Sequence, residues 1–144
     1  MGEFDAWARG AALLAAEAGV LLPARYLLVS VGTGTSVLAV SADGVQRIGG
    51  TGLGGGTVVG LGRLLLGADS FAAITDLAAG GDRRLVDLVL ADVYPATAAS
   101  TAGQLTAASF AKLTSTSPAD VAHALLGVVA ENIALIAEIG RAHV

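Results

Sequence analysis

The 144-residue chain contains no cysteine, one lysine, three prolines and few aromatic residues. Without cysteine there are no disulfides and no thiolate zinc sites, and the two histidines, His123 and His143, stand too far apart in sequence to suggest a metal cluster. With Lys112 as the sole lysine, no G-x-x-x-x-G-K-[ST] phosphate loop can be written. Charge is scarce as well: 14% of residues, net −4, with the eight basic residues scattered, so the chain carries no electrostatic footprint for nucleic acid. The longest uncharged stretches, Tyr26–Ala42 and Val93–Ala111, are interrupted by Gly, Ser, Thr, Pro or Gln, and neither reads as a membrane span of roughly 20 apolar residues. Glu3 and Asp5 occupy the place of a basic signal-peptide start, and Glu17 splits the apolar stretch behind them. A cytosolic location is the expectation.

What remains is rich in small and apolar residues: 54% hydrophobic, 20 glycines, mean hydropathy +0.73. The length suits one domain with ample core material. A protein surface ordinarily carries a quarter or more of charged residues. A chain this poor in charge is expected to bury faces against something outside itself, a partner subunit or further sequence.

Helical spacing of Ala, Leu, Trp and Glu predicts a helix over Gly2–Leu22, stopped by Pro23. Tyr26–Val31 reads as a strand, Gly32–Thr35 as a turn, Ser36–Ser41 as a second strand, and Asp43-Gly44 as a tight hairpin into a third, Val45–Ile48. Gly49–Gly56 reads as too glycine-rich for regular structure and leads into a helix from about Thr57 to Leu66, ended by Gly67. Ser70 caps a helix through Ala79. Asp82 is read as the cap of another that reaches Tyr94, before Pro95. Ala96–Gln104 is a loop, and Ser117-Pro118-Ala119-Asp120 opens a helix through Ala137 that is apolar almost all round and is therefore expected to be buried. Glu138–Val144 ends this helix without a cap, and one back-translation of it resembles the start of a sequencing-adapter oligonucleotide. Those seven residues are read as a non-native tail on a single partial domain, residues 1–137.

Glycines ahead of a helix allow backbone N–H groups to close on phosphate oxygens, with the helix N-terminus adding partial positive charge. The same freedom serves plain turns, so the loop alone is not diagnostic. Gly50-Thr51-Gly52-Leu53-Gly54-Gly55 satisfies G-x-G-x-x-G, the dinucleotide fingerprint. That motif belongs to the first turn of a parallel βαβ unit, whereas three antiparallel strands are expected here. Antiparallel pairing of Val45–Ile48 with Ser36–Ser41 would remove the dinucleotide reading.

Six linked motifs carry a resemblance: Glu3-Phe4-Asp5-Ala6; Val31-Gly32-Thr33-Gly34-Thr35-Ser36; Gln46-Arg47-Ile48-Gly49-Gly50 with Gly54-Gly55-Gly56; Gly60-Leu61-Gly62; Gly81-Asp82-Arg83 with Asp92-Val93-Tyr94; and Leu105–Phe110. In order and nearly in register they resemble type II pantothenate kinase over almost the whole chain except the tail. The resemblance implies an α/β fold with α+β character: an actin-like, ribonuclease-H-like half-domain with a three-stranded antiparallel sheet plus helices. It implies ATP and Mg²⁺ as cofactors, pantothenate as substrate and a homodimer, with no nucleic-acid or membrane partner. By that resemblance Glu3 is the general base for the pantothenate hydroxyl, a task suited to a carboxylate in a partly dry cleft. Read on its own, Glu3 is a first-turn helix acid favoured by the macrodipole. Arg47 matches an arginine that contacts substrate and balances phosphoryl charge, and a guanidinium can bond two oxygens at once. Thr33 matches a nucleotide contact and Ser36 a pantothenate contact, although short hydroxyl residues are also ordinary turn chemistry. Gly55, Gly56 and Thr57, flanked by Val58 and Val59, match the loop around ATP, and Phe71 an aromatic near the adenine. Thr106 and Ala107 match a segment that one subunit offers to its neighbour's pantothenate site.

The match departs from the family at its ends. The D-x-G-G-T phosphate loop, with the aspartate that organises Mg²⁺, is absent, as is everything beyond the long helix. The expectation is a piece that is inactive alone, cut from an active kinase. Two readings from other classes stand beside it: a non-catalytic paralogue or interaction domain of the same fold, and a dinucleotide-binding oxidoreductase.

Overall fold

The computed structural model describes residues 2–143 as an α/β chain in two compact units, the first comprising residues 2–55 and 132–143 and the second residues 56–131. Val144, the end of the expected tail, lies outside the described residues.

The first unit is built on a three-stranded antiparallel sheet in the order β1 (Tyr26–Val31), β2 (Thr35–Ser41), β3 (Gly44–Thr51). Tyr26 pairs with Val40 and Val31 with Thr35, while β2 runs against β3 from Ser41↔Gly44 to Thr35↔Thr51. A bulge between Val37 and Leu38 absorbs one extra residue of β3, so this strand continues to Thr51 rather than stopping at Ile48. The expectation that Gly49–Gly56 lies outside regular structure is thus corrected: Gly49–Thr51 belongs to β3, and Gly55 already opens the next helix. The neighbours Val37 and Leu38 are both fully buried, and they point to opposite faces, so the central strand is covered on both sides.

Helix α1 (Glu3–Glu17) packs on β3 and buries Ala8. It ends five residues before Leu22, because Gly19 takes a left-handed φ of 70° and closes the helix with Gly19 N–H to Ala16 O (3.0 Å) and Val20 N–H to Ala15 O (2.8 Å). The last turns of α5 (Pro118–Gly140) also belong to this unit. Side chains of Val37, Ile48 and Leu27 would lie 3.2–3.4 Å from a Cβ on Gly140, so the helix end rests directly on the sheet, three residues beyond the expected stop at Ala137.

In the second unit, α2 (Gly55–Leu66) and α3 (Phe71–Ala78) meet where Gly62 leaves room for the fully buried Ile74. Gly67 ends α2 with φ 65°, and Ser70 caps α3 by accepting from Ala73 N–H (3.2 Å). The helix expected from Asp82 to Tyr94 does not form. Asp82 caps only a 3₁₀ turn, Arg83–Leu85, followed by β4 (Leu88–Val89) and the single turn α4 (Leu90–Val93). The backbone of this stretch is claimed by residues farther along. Leu85 O accepts from Thr114 and Ser115 N–H, Val86 O from Lys112 and Leu113 N–H, and β4 pairs with β5 (Thr106–Ala108). The buried Asp87 carboxylate accepts from Phe110 N–H (2.8 Å). Tertiary hydrogen bonds override a helical pattern in the sequence.

Helix α5 is buried through Ala122, Ala124, Leu125 and Val129 in its first half and again at its end, Gly140, while Leu135 and Ile139 between them are exposed. This too corrects the expectation of burial throughout. By length and composition α5 could cross a membrane, and α2 with α3 passes the same test as a bent pair. The buried first half of α5, and the ion pair of its Glu131 with Arg83 inside the unit, are properties of a core helix.

Candidate active site

Two glycine-bearing segments of the first unit lie backbone to backbone. Gly55 N–H donates to Gly32 O (2.8 Å), and Gly32 N–H to Gly34 O (2.8 Å). The carbonyl oxygen of Thr51 would stand 2.9 Å from a Cβ on Gly34, and Gly34 backbone atoms 2.8 Å from a Cβ on Gly54. Only glycine permits this approach. Thr35, buried to 4% exposure, completes the lock by donating from Oγ1 to Leu53 O (2.8 Å). Gly55 N–H is therefore spent on Gly32, and this amide holds the loop together rather than facing an anion.

Beside this lock opens a cleft of about 340 Å³ lined by Trp7, Ser30, Gly32–Ser36, Arg47 and Thr51. Three residues expected at a site, Thr33, Ser36 and Arg47, come together here although they arise from a turn and two strands. Arg47 projects from β3 with its guanidinium across Gly50, in the space a side chain at residue 50 would need. It is the one charged residue among those lining the cleft, in the company of several hydroxyls. A fixed cation amid hydroxyl groups suits a substrate that carries both hydroxyls and phosphate oxygens.

Glu3 does not line the cleft. It is exposed at the first turn of α1, four residues before Trp7, and so occupies the same helix face one turn away. Asp5, not Glu3, closes the helix start by accepting from Gly2 N–H (3.0 Å). Trp7 and Thr35 had no place among the expected site residues. A signal for Trp7 was present in the i,i+4 spacing from Glu3, and for Thr35 in the strand alternation that puts it inward.

The remaining expected residues lie in other settings. Gly55 begins α2. Gly56, Thr57, Val58 and Val59 follow it in the second unit, where Val58 is a core residue at 2% exposure and Gly56 is exposed. Phe71, at the start of α3, is half exposed. In β5, Thr106 Oγ1 accepts from Arg83 Nη2 (3.1 Å), Arg83 is itself ion-paired with Glu131, and Ala107 is exposed.

The electrostatic anchor of the second unit lies at the Gly81-Asp82-Arg83 motif. Asp120 Oδ1 accepts from Asp82 N–H (2.7 Å), and its Oδ2 from the hydroxyls of Ser115 (2.5 Å) and Ser117 (2.8 Å). The Asp82 amide, then those hydroxyls, hold the Asp120 carboxyl below the usual carboxylate range. The Arg84 guanidinium, bonded to both Asp82 oxygens, lowers Asp82 to about 2. Among the described residues no group of three or more His, Cys, Asp or Glu could hold a metal ion.

The antiparallel β2–β3 register removes the dinucleotide reading of Gly50–Gly55, which requires a parallel strand ahead of the loop. A family model described as Fumble matches residues 15–143. A type II pantothenate kinase of Staphylococcus haemolyticus is 38% identical over 140 residues, 94% of this chain and 52% of that protein. Those of Staphylococcus saprophyticus and Staphylococcus aureus are 41% identical over 108 residues (75% of this chain, 40% of that protein) and 37% over 140 (94% and 52%). The chain thus spans about half the length of the curated relatives it matches. With residues 15–143 inside the family match, well over half of the chain, the chain belongs to the Fumble family, that of the type II pantothenate kinases.

Proposed function

We propose that the protein carrying this chain transfers the γ-phosphoryl group of ATP to pantothenate, giving 4′-phosphopantothenate for coenzyme A synthesis. The observation that carries this reading is the convergence of Thr33, Ser36 and Arg47 on one cleft, with Glu3 one helical turn from the Trp7 that lines it. The pantothenate hydroxyl oxygen attacks the γ-phosphorus, the bond to the β-phosphate oxygen breaks, and the hydroxyl proton passes to the Glu3 carboxylate. Arg47 offsets negative charge on the transferring group, Ser36 holds pantothenate, and Thr33 meets the nucleotide. In phosphoryl transfer such positioning and electrostatics supply most of the rate.

The nucleotide side is assigned to Gly55, Gly56, Thr57, Val58, Val59 and Phe71, with Gly55 acting by tying the loop to Gly32 and Val58 by shaping it from the core. Thr106 and Ala107 are assigned to a homodimer interface, offered to the neighbouring subunit's pantothenate. The exposure of Ala107 and Leu105 in a stretch poor in charge supports that assignment. Mg²⁺ would neutralise phosphate charge during transfer. The described residues of this chain do not make a site for it, and no step above passes through it. The architecture fits an actin-like half-domain, and a cytoplasmic location accords with substrates that are small charged metabolites.

Because the chain spans about half of its relatives, activity is assigned to a longer protein, and the 144-residue chain alone is expected to be inactive. The exposed Leu13, Leu14, Leu64 and Leu135 support further protein surface covering this one. Incubating the full-length protein with γ-labelled ATP and pantothenate tests the reading. Label in a pantothenate phosphomonoester supports it, and ATP turnover with none transferred contradicts it.

A further inference from the structure

Among the residues lining the cleft, Trp7 is the one large apolar side chain; its companions are hydroxyl residues, glycines and Arg47. Its ring is held in place. Phe4 meets it edge to face, with centroids 5.5 Å apart and planes at 67°, and the next residue, Ala8, is the buried contact of α1. Any hydrocarbon part of a molecule bound in this cleft therefore has Trp7 as its apolar wall.

We infer that Trp7 is the specificity residue for the acyl half of pantothenate, its indole packing on the two methyl groups beside the reacting hydroxyl. The inference rests on the function proposed above and deepens it. The match is one of spacing. In pantothenate the phosphorylated hydroxyl sits on the carbon adjacent to the dimethyl-bearing carbon. On α1, Glu3 and Trp7 are separated by one turn, about 5–6 Å between Cβ atoms. A hydroxyl addressed by Glu3 places its neighbouring methyl groups within reach of Trp7.

The test uses the full-length protein with two acceptors, pantothenate and the analogue in which both methyl groups are replaced by hydrogen. Burial of two methyl groups predicts that the wild-type protein favours pantothenate about tenfold in kcat/KM. Trp7→Ala should reduce that preference to within about twofold, raise KM for pantothenate about tenfold, and leave KM for ATP and kcat nearly unchanged. Trp7→Phe, which keeps an aromatic wall of smaller area, should keep part of the preference. An unchanged preference in Trp7→Ala, or equal rises in both KM values, would overturn the assignment of Trp7 while the kinase reading stands. If Trp7→Ala does not fold, Trp7→Phe decides: a twofold to threefold loss of preference, about what partial loss of contact area predicts, supports the inference, and none overturns it. A wild-type protein that phosphorylates neither acceptor overturns the proposed function itself.

Discussion

Replacing Gly54 with alanine probes the contact on which the cleft depends. The added methyl carbon would stand 2.8 Å from Cα, C and O of Gly34, all backbone atoms of a turn tied at both ends. Carbon atoms rest about 3.5–4.0 Å apart, so the two segments must separate by about 0.7 Å. Forced overpacking costs about 1–3 kcal/mol. The reduced freedom of the unfolded chain returns about 0.4–1 kcal/mol. With three atoms struck at once and none on a flexible side chain, a net loss of about 2 kcal/mol is expected, or about 4–8 °C in thermal midpoint for a domain of this size. The separation would also stretch the Gly55 N–H to Gly32 O bond and shift Thr33 in the cleft. Gly52→Ala is the control, because a Cβ there meets nothing within 4 Å and its φ is not left-handed. Calorimetry on both variants of the full-length protein, with KM for ATP and pantothenate, measures the difference. If Gly54→Ala matches Gly52→Ala in stability and in both KM values, the close approach of the two segments does not hold the cleft.

Thr35→Val removes the hydroxyl that donates to Leu53 O while keeping its shape; a loss of about 1–2 kcal/mol is expected by denaturant titration, and an unchanged midpoint would show that the bond contributes nothing. Asp82 and Asp120 have carboxyls lowered in the folded state, Asp82 from 3.8 to about 2. Their contribution is present above the unfolded value and is lost as pH falls through the folded one, so stability should drop between about pH 4 and pH 2. Asp120→Asn should flatten that drop, and a wild-type slope in the variant would refute the account of this anchor.

The sheet was legible because its signals are local. Apolar β-branched runs bounded by Gly32–Thr35 and Asp43-Gly44 located β1 and β2 to within a residue. The failures have the opposite cause. The Asp82–Tyr94 segment has helical spacing, but its carbonyls are taken by residues 112–115 and its carboxylate Asp87 by Phe110, partners no local window contains. Gly49–Thr51 joined β3 because Ile48 bulges out opposite Val37/Leu38 and the strand resumes pairing beyond it, with partners on β2 that no local window contains. At the site, Thr33, Ser36 and Arg47 were named through the family resemblance, and the cleft gathers all three. Trp7 entered the sequence reading only through the helical spacing of α1 and lies just outside the Glu3–Ala6 motif.

The central claim, that this chain carries the general base of a pantothenate kinase, is tested most directly by Glu3→Gln in the full-length protein. The variant keeps the size and helix position of residue 3 but cannot take up the hydroxyl proton. Steady-state turnover should fall about 10²–10⁴-fold while ATP affinity stays near that of the wild type. Turnover retained within a few-fold of wild type would contradict the account.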